Sequence, residues 1–216
     1  MKKVKKFWGL YILIPFFMAG LIGFFMFHKG EAELIFNKHY NVLFDFFFRY
    51  YTYLGDGLAF VFLILLFLYN RYYYVIVTGG VIILQTIVVQ GMKLELFRHV
   101  DRPSLFFSHV HGIHYVEGVT LHLYQSFPSG HSATAFSVAT LLALTYKDKR
   151  LSVIWYAAAI LVAISRVYLM QHFFVDVYFG AIIGIGITLI VWYLFENSGL
   201  PQKPSLNRSL WDDRRK

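Results

Sequence analysis

The chain has 216 residues, 58% hydrophobic and 15% charged, with a mean hydropathy of +0.56 and a formal net charge of +8. Soluble domains carry about 25% charged residues, so this composition excludes an ordinary soluble protein and indicates one integral membrane domain over residues 1–216. Cysteine is absent, which excludes disulfide and thiolate chemistry.

Several apolar runs approach the ~20 residues that cross a bilayer as a helix. Lys2, Lys3, Lys5 and Lys6 form a basic start, and an apolar run over 7–27 follows. That run is too long for a signal-peptide core and lacks a small-residue cleavage pattern, so it reads as a first, uncleaved span. Residues 28–52 mix Glu31, Glu33, Lys38, Asp45 and Arg49 with many aromatics. The pattern fits an amphipathic helix in the interface; it fits equally a helical extension packed on the spans. Asp45 and Arg49 are spaced to pair on a helix face. Spans two and three are read over 53–69 and 72–92, with a tight turn at Asn70 and Arg71. A polar loop over 93–127 is long enough to cover one end of a bundle. The fourth, fifth and sixth spans are read over 129–146, 151–170 and 175–195. The last carries Gly180 and Gly184, a spacing that allows close helix packing. Residues 197–216 read as a polar, flexible tail. The expected fold is all-α: a six-transmembrane-helix bundle with an extra interfacial helix.

Six spans place both termini on one side of the membrane. That side holds thirteen of the twenty Lys and Arg residues, including Arg71, Lys147, Lys149, Arg150 and Lys203. The positive-inside rule makes it cytoplasmic. The loop over 93–127 then faces outward from the cell membrane. The positive excess follows from this topology, which speaks against a nucleic-acid partner.

The outer side carries the chemistry. Pro128-Ser129-Gly130-His131 sits where polar sequence turns apolar, with Ser129 a suitable helix cap. A helix start binds anions, phosphate above all, although the four residues alone fit an ordinary helix start. His131 is placed to transfer a proton beside such an anion. Lys93 ends the third span, and Arg102 follows in the loop. Arg166 lies near the outer end of the fifth span, where charge is expensive and usually functional. His172 and Asp176 are four apart, so a helix would let the carboxylate hold one imidazole nitrogen and leave the other nucleophilic. Three cations, a helix amino terminus, two histidines and an aspartate match phosphoryl transfer at the outer face, with no metal or other cofactor required.

These residues resemble the type 2 phosphatidic acid phosphatase family of integral membrane lipid phosphatases. The family pattern has three parts: Lys-x6-Arg-Pro, Pro-Ser-Gly-His and Ser-Arg-x5-His-x3-Asp. The second matches at Pro128 to His131, and the third from Ser165 to Asp176. The first is displaced, because eight residues separate Lys93 from Arg102. The resemblance implies that His172 is the nucleophile and forms a phosphohistidine. It implies that Asp176 orients His172 and that His131 is the general acid. Lys93, Arg102, Ser129, Gly130 and Arg166 would bind the phosphate. It implies a lipid phosphate substrate in the bilayer and is closest in kind to bacterial phosphatidylglycerophosphate and undecaprenyl pyrophosphate phosphatases. It does not choose among these lipids or give an oligomeric state.

Other readings stay open from sequence. His109, His111, His114 and His122 share the outer loop and are either plain polar residues or zinc ligands. Asp56 either caps the second span or touches the site. A lipid-phosphate binding or transport protein would need the cations, but only an enzyme needs His131, His172 and Asp176 together.

Overall fold

The computed structural model describes residues 8–213. The lysine-rich start, Phe7, and Arg214 to Lys216 lie outside the described residues. Among the described residues the chain is helical, with no strand. Helix α1 (Leu10–Met26) leads through a sharp corner into α2 (Glu31–Lys38) and α3 (Val42–Tyr51). A 3-10 turn (Thr52–Gly55) precedes α4 (Leu58–Leu68) and α5 (Tyr72–Gly91). Helix α5 widens into a π-helical turn (Met92–Leu96), and the loop beyond contains the short α6 (Pro103–Phe106). Helices α7 (Gly130–Thr145), α8 (Leu151–Tyr168) and α9 (Phe174–Glu196) complete the bundle, and α10 (Leu210–Asp213) lies in the tail.

Helix α7 is the hub. Ten of its sixteen residues are buried, and most are small. One face packs with Leu13, Tyr156, Val162, Val177 and Ala181 from α1, α8 and α9. The other packs with Phe60, Tyr73, Val77, Ile187 and Val191 from α4, α5 and α9. Its interior hydroxyls are paired, as apolar surroundings demand. Ser137 donates to Gln85 Oε1 at 2.6 Å and lies 3.0 Å from the Gly184 carbonyl, while Gln85 Nε2 donates to Thr134 at 3.1 Å.

Outward, Ile14, Phe25, Phe62, Ile83, Ile154 and Ile190 are each more than half exposed, which suits contact with lipid rather than water. Among the described residues, three helices are long and apolar enough to cross a membrane: Tyr72–Leu96, Leu151–Tyr168 and Phe174–Glu196. The number rises to five if two bent pairs each count as one span. All six expected apolar stretches contain a helix, but the stretch over 53–69 is interrupted. The Asp56 carboxylate accepts from the Gly57 amide at 2.5 Å, and only the eleven residues of α4 are helical beyond it. Asp56 thus ties down the start of α4.

Three further expectations are corrected. Residues 28–52 form two helices rather than one, because Asn41 starts a new helix by accepting from the Phe44 amide at 2.9 Å. Asp45 does not pair with Arg49. It takes the Tyr168 hydroxyl at 2.5 Å and His114 Nε2 at 2.9 Å, partners that a partly buried carboxylate gains by packing α3 on α8. The tail is also folded where it is described. The Arg208 carbonyl accepts from the Tyr72 amide at 2.9 Å, and Arg71 donates to the Pro201 carbonyl at 2.9 Å.

Helices α7 and α9 meet at glycine. A Cβ on Gly184 would lie 2.3 Å from the Ala133 carbonyl oxygen, and one on Gly180 would lie 2.5 Å from that of Ser129. A Cβ on Gly186 would meet nothing within 4 Å. Gly184→Ala is therefore expected to destabilise by about 1–3 kcal/mol, the usual cost of overpacking. Gly186→Ala should stay within about 0.5 kcal/mol of the parent. Thermal unfolding of both in detergent checks this; equal Tm values would contradict the close approach.

Candidate active site

The site forms where the end of α5 and its π-helical turn, the starts of α7 and α9 and the end of α8 converge. Ser129 is the N-cap of α7, and its Oγ accepts from the Ser132 amide at 3.3 Å. Ser129 itself is fully buried, and its own amide donates to the Asp176 carbonyl at 3.0 Å. Its role is thus to fix the start of the helix. The amides of Gly130 and His131 follow, with no acceptor among the described residues. A Cβ on Gly130 would meet only Val89, at 3.9 Å. This leaves open space in front of donors at the positive end of a helix.

Arg166 and His172 are joined by a tight turn. The Arg166 carbonyl accepts from the amides of Gln171 and His172, and Met170 takes the left-handed conformation at φ 55°. His172 is 2% exposed and Asp176 4%. His172 Nδ1 lies 3.4 Å from Asp176 Oδ2, a long hydrogen bond of the kind that tightens with ligand. The same oxygen accepts from Ser126 Oγ at 2.5 Å and from the Phe173 amide at 2.9 Å. Nε2 of His172 is then the nitrogen left for chemistry. Burial, and after it the positive field of Arg102, Arg166 and Lys93, pushes the His172 pKa well below the ordinary histidine range. Both effects favour the neutral imidazole.

The three cations of the candidate site are all buried: Lys93 and Arg102 at 8% exposure and Arg166 at 6%. Lys93 Nζ donates to the Gln125 carbonyl at 3.0 Å, and Arg102 Nη2 reaches the same oxygen at 3.5 Å. The eight-residue spacing therefore does not keep the two apart. Arg102 also donates to the carbonyls of Tyr124 and Gln171, at 2.9 and 3.1 Å. Arg166 donates to Thr52 Oγ1 at 2.8 Å and to Gln171 Oε1 at 3.3 Å, while its Nε is buried with no partner. No carboxylate forms an ion pair with any of the three among the described residues. Buried charge is normally paired, so this arrangement calls for an anion from outside the chain.

A sequence model of the PAP2 superfamily matches residues 74–200, more than half of the chain. The chain belongs to the PAP2 superfamily. The matched stretch holds all eight candidate site residues named above. Over 63 residues the protein is 45% identical to a lipid A 1-phosphatase from Porphyromonas gingivalis, a match that spans 28% of this chain and 14% of that protein. The crystal structure of Aquifex aeolicus LpxE is similar, with a TM-score of 0.68 and 28% identity over 78% of this chain and 97% of that one. The fold is also shared with the first transmembrane PAP2 type phosphatidylglycerolphosphate phosphatase from Bacillus subtilis. There the TM-score is 0.57, with 21% identity over 89% of this chain and 98% of that one.

Four further residues hold the candidate site together and carry no motif of their own. Gln125 offers its carbonyl from a left-handed conformation at φ 59°, Ser126 donates to Asp176, and Thr52 and Gln171 hold Arg166. Gln125 and Ser126 adjoin the Pro-Ser-Gly-His run, the one available signal. The loop histidines separate. His114 turns to Asp45 and stacks on Tyr40 with ring centroids 3.8 Å apart. His122 feels the three cations, whose field adds to burial in lowering its pKa. Among the described residues, no three His, Asp or Glu side chains gather as a metal ion would need.

The unpartnered Arg166 Nε and the free α7 amides predict anion binding before any turnover. Inorganic phosphate at 100 times its Kd should stabilise the protein by about 2.7 kcal/mol. Arg166→Gln should abolish the accompanying rise in Tm; an unchanged rise would place the anion elsewhere.

Proposed function

We propose that this PAP2 protein is a membrane lipid phosphatase acting through a phosphohistidine intermediate. The observation that carries the reading is the trio of buried cations without carboxylate partners around a neutral, carboxylate-oriented His172. Such a pocket is built for a phosphate with developing negative charge. Lys93, Arg102, Arg166 and the Gly130 and His131 amides would hold the phosphate oxygens, with Ser129 setting the helix start. His172 Nε2 attacks phosphorus, the P–O bond to the lipid breaks, and His131 gives its proton to the leaving oxygen. The dianion also supplies the negative charge that favours a protonated imidazole at His131. Water then attacks the phosphohistidine, His131 takes back a proton, and phosphate and free His172 are released. Asp176 holds His172 in one tautomer throughout, the role of the carboxylate in serine triads.

The substrate class is a membrane lipid bearing a phosphomonoester or pyrophosphate: phosphatidylglycerophosphate, undecaprenyl pyrophosphate or phosphatidic acid. The Porphyromonas gingivalis relative adds the 1-phosphate of lipid A. Phosphate release from a panel of these four ranks them. A second reading, a non-catalytic lipid-phosphate binding or transport protein, would show binding without release. Protein cations neutralise the phosphate in this mechanism, so turnover should survive EDTA; loss of turnover restored by one divalent ion would overturn that part.

The two histidines are separable. His172→Ala should form no covalent phosphoenzyme with any substrate. His131→Ala should be impaired far less on nitrophenyl phosphate, whose leaving group needs no proton, than on a lipid phosphate. Asp176→Asn should fold and slow turnover by about 10⁴. Acid-labile, alkali-stable phosphate trapped on His172→Ala would refute the assignment. The pH dependence has a definite sign. A depressed His172 pKa keeps the nucleophile neutral at neutral pH, so its limb of kcat/KM falls only at a pH well below the ordinary histidine range.

The site is proposed to face outward from the cell membrane, with both termini cytoplasmic. A cysteine at Ser108 should react with an impermeant thiol reagent in intact cells, and one at Lys147 should not. The reverse pattern would invert the topology.

A further inference from the structure

The corner between α1 and α2 lies outside residues 74–200 and outside every motif described above. It nevertheless meets the chain at the nucleophile. Glu33 is 1% exposed, and its Oε1 accepts from the Phe174 amide at 2.6 Å. Phe174 is the first residue of α9, two beyond His172. The start of α9 therefore holds two carboxylates in its first free amides: Asp176 takes Phe173, and Glu33 takes Phe174. A helix amino terminus favours negative charge. Packing alone does not account for Glu33, since an apolar residue would fill the same space without desolvating a carboxylate.

The corner that presents Glu33 is itself fixed. Lys29 Nζ sits 4.5 Å from the centre of the Phe173 ring and 5.0 Å from that of Phe106. Gly30 turns the chain at φ 97°, and a Cβ there would come within 2.7 Å of Phe107. Glu33 thus reaches the 172–176 turn from a held position, on an element far away in sequence.

We propose that Glu33 is a positioning residue: by holding the 173–174 peptide it keeps the His172 imidazole aligned on phosphorus. The proposal rests on the phosphatase reading. Geometry separates it from a role in stability alone. Gln at 33 keeps the acceptor oxygen in place. Asp withdraws it by about 1.5 Å, one carbon–carbon bond. Misplacement of that order near a reacting group costs up to about a hundredfold in rate.

The test compares wild type, Glu33→Gln, Glu33→Asp and Glu33→Ala on nitrophenyl phosphate and on phosphatidic acid, with the folded fraction measured by thermal unfolding. Expected are kcat losses of about tenfold or more for the Asp and Ala variants on both substrates. KM should hold, and Gln should retain kcat within about threefold. Wild-type kcat per folded Glu33→Ala molecule, whatever its Tm, would reduce Glu33 to a stabilising contact and overturn the proposal. So would a KM rise confined to the lipid. If Glu33→Ala does not fold, equal kcat for the Asp and Gln variants overturns it. A wild type that releases no phosphate from either substrate instead brings down the phosphatase reading, and this proposal with it.

Discussion

Asp176 is the residue on which the two halves of the site depend. Its backbone carbonyl accepts from the Ser129 amide, and its Oδ2 accepts from Ser126 and Phe173 while facing His172. One residue therefore locks the start of α9 to the start of α7, and His172 to the helix end that carries His131. This lock works only at short range. Gly180 and Gly184 let α9 lie against the α7 backbone, where any side chain would force the helices apart. Removing bulk four and eight residues below Asp176 is what lets its side chain reach Ser126.

The treatment of the cations follows the same economy. Lys93, Arg102 and Arg166 are held by neutral groups: the carbonyls of Tyr124, Gln125 and Gln171, the Gln171 amide oxygen and the Thr52 hydroxyl. Neutral dipoles orient a buried cation without cancelling its charge. A carboxylate in the same place would satisfy the guanidinium and cancel the positive field that an anion would meet. The carboxylate of Asp176 is turned towards the amides and the imidazole. Charge is thus fixed before ligand arrives, which avoids reorganisation when it does.

How much of this was legible in sequence depended on range. The cap at Ser129, the four-residue step from His172 to Asp176 and the close packing at Gly180 and Gly184 are local patterns, and the helix starts and contacts agree with them. The convergence of Lys93 with Arg102 was not visible, because it needs the left-handed Gln125 to aim a carbonyl at both. Thr52 and Glu33 were silent for a related reason: their partners, Arg166 and Phe174, lie over a hundred residues away. Asp45 shows the opposite failure, where a plausible local partner, Arg49, lost to Tyr168 and His114. Hydropathy located the apolar stretches but not their ends, since Asp56 and Gly57 break a helix without interrupting the apolar run. Polar composition suggested a loose tail, yet its carbonyls and carboxylates found Arg71 and Tyr72.

That tail bears on how the molecule is assembled. Tyr72 opens α5, the helix whose far end carries Lys93, and its amide and hydroxyl are satisfied by Arg208 and Asp213. Those partners are synthesised 136 and 141 residues after Tyr72 (208 − 72 and 213 − 72). During translation, every apolar helix is therefore made before the first turn of α5 gains its tail contacts. Closure of α5 is a late, long-range event, and contacts of that sequence separation form slowly. The nascent bundle must wait with this end of α5 open until a polar segment made after the helices folds back and shuts it.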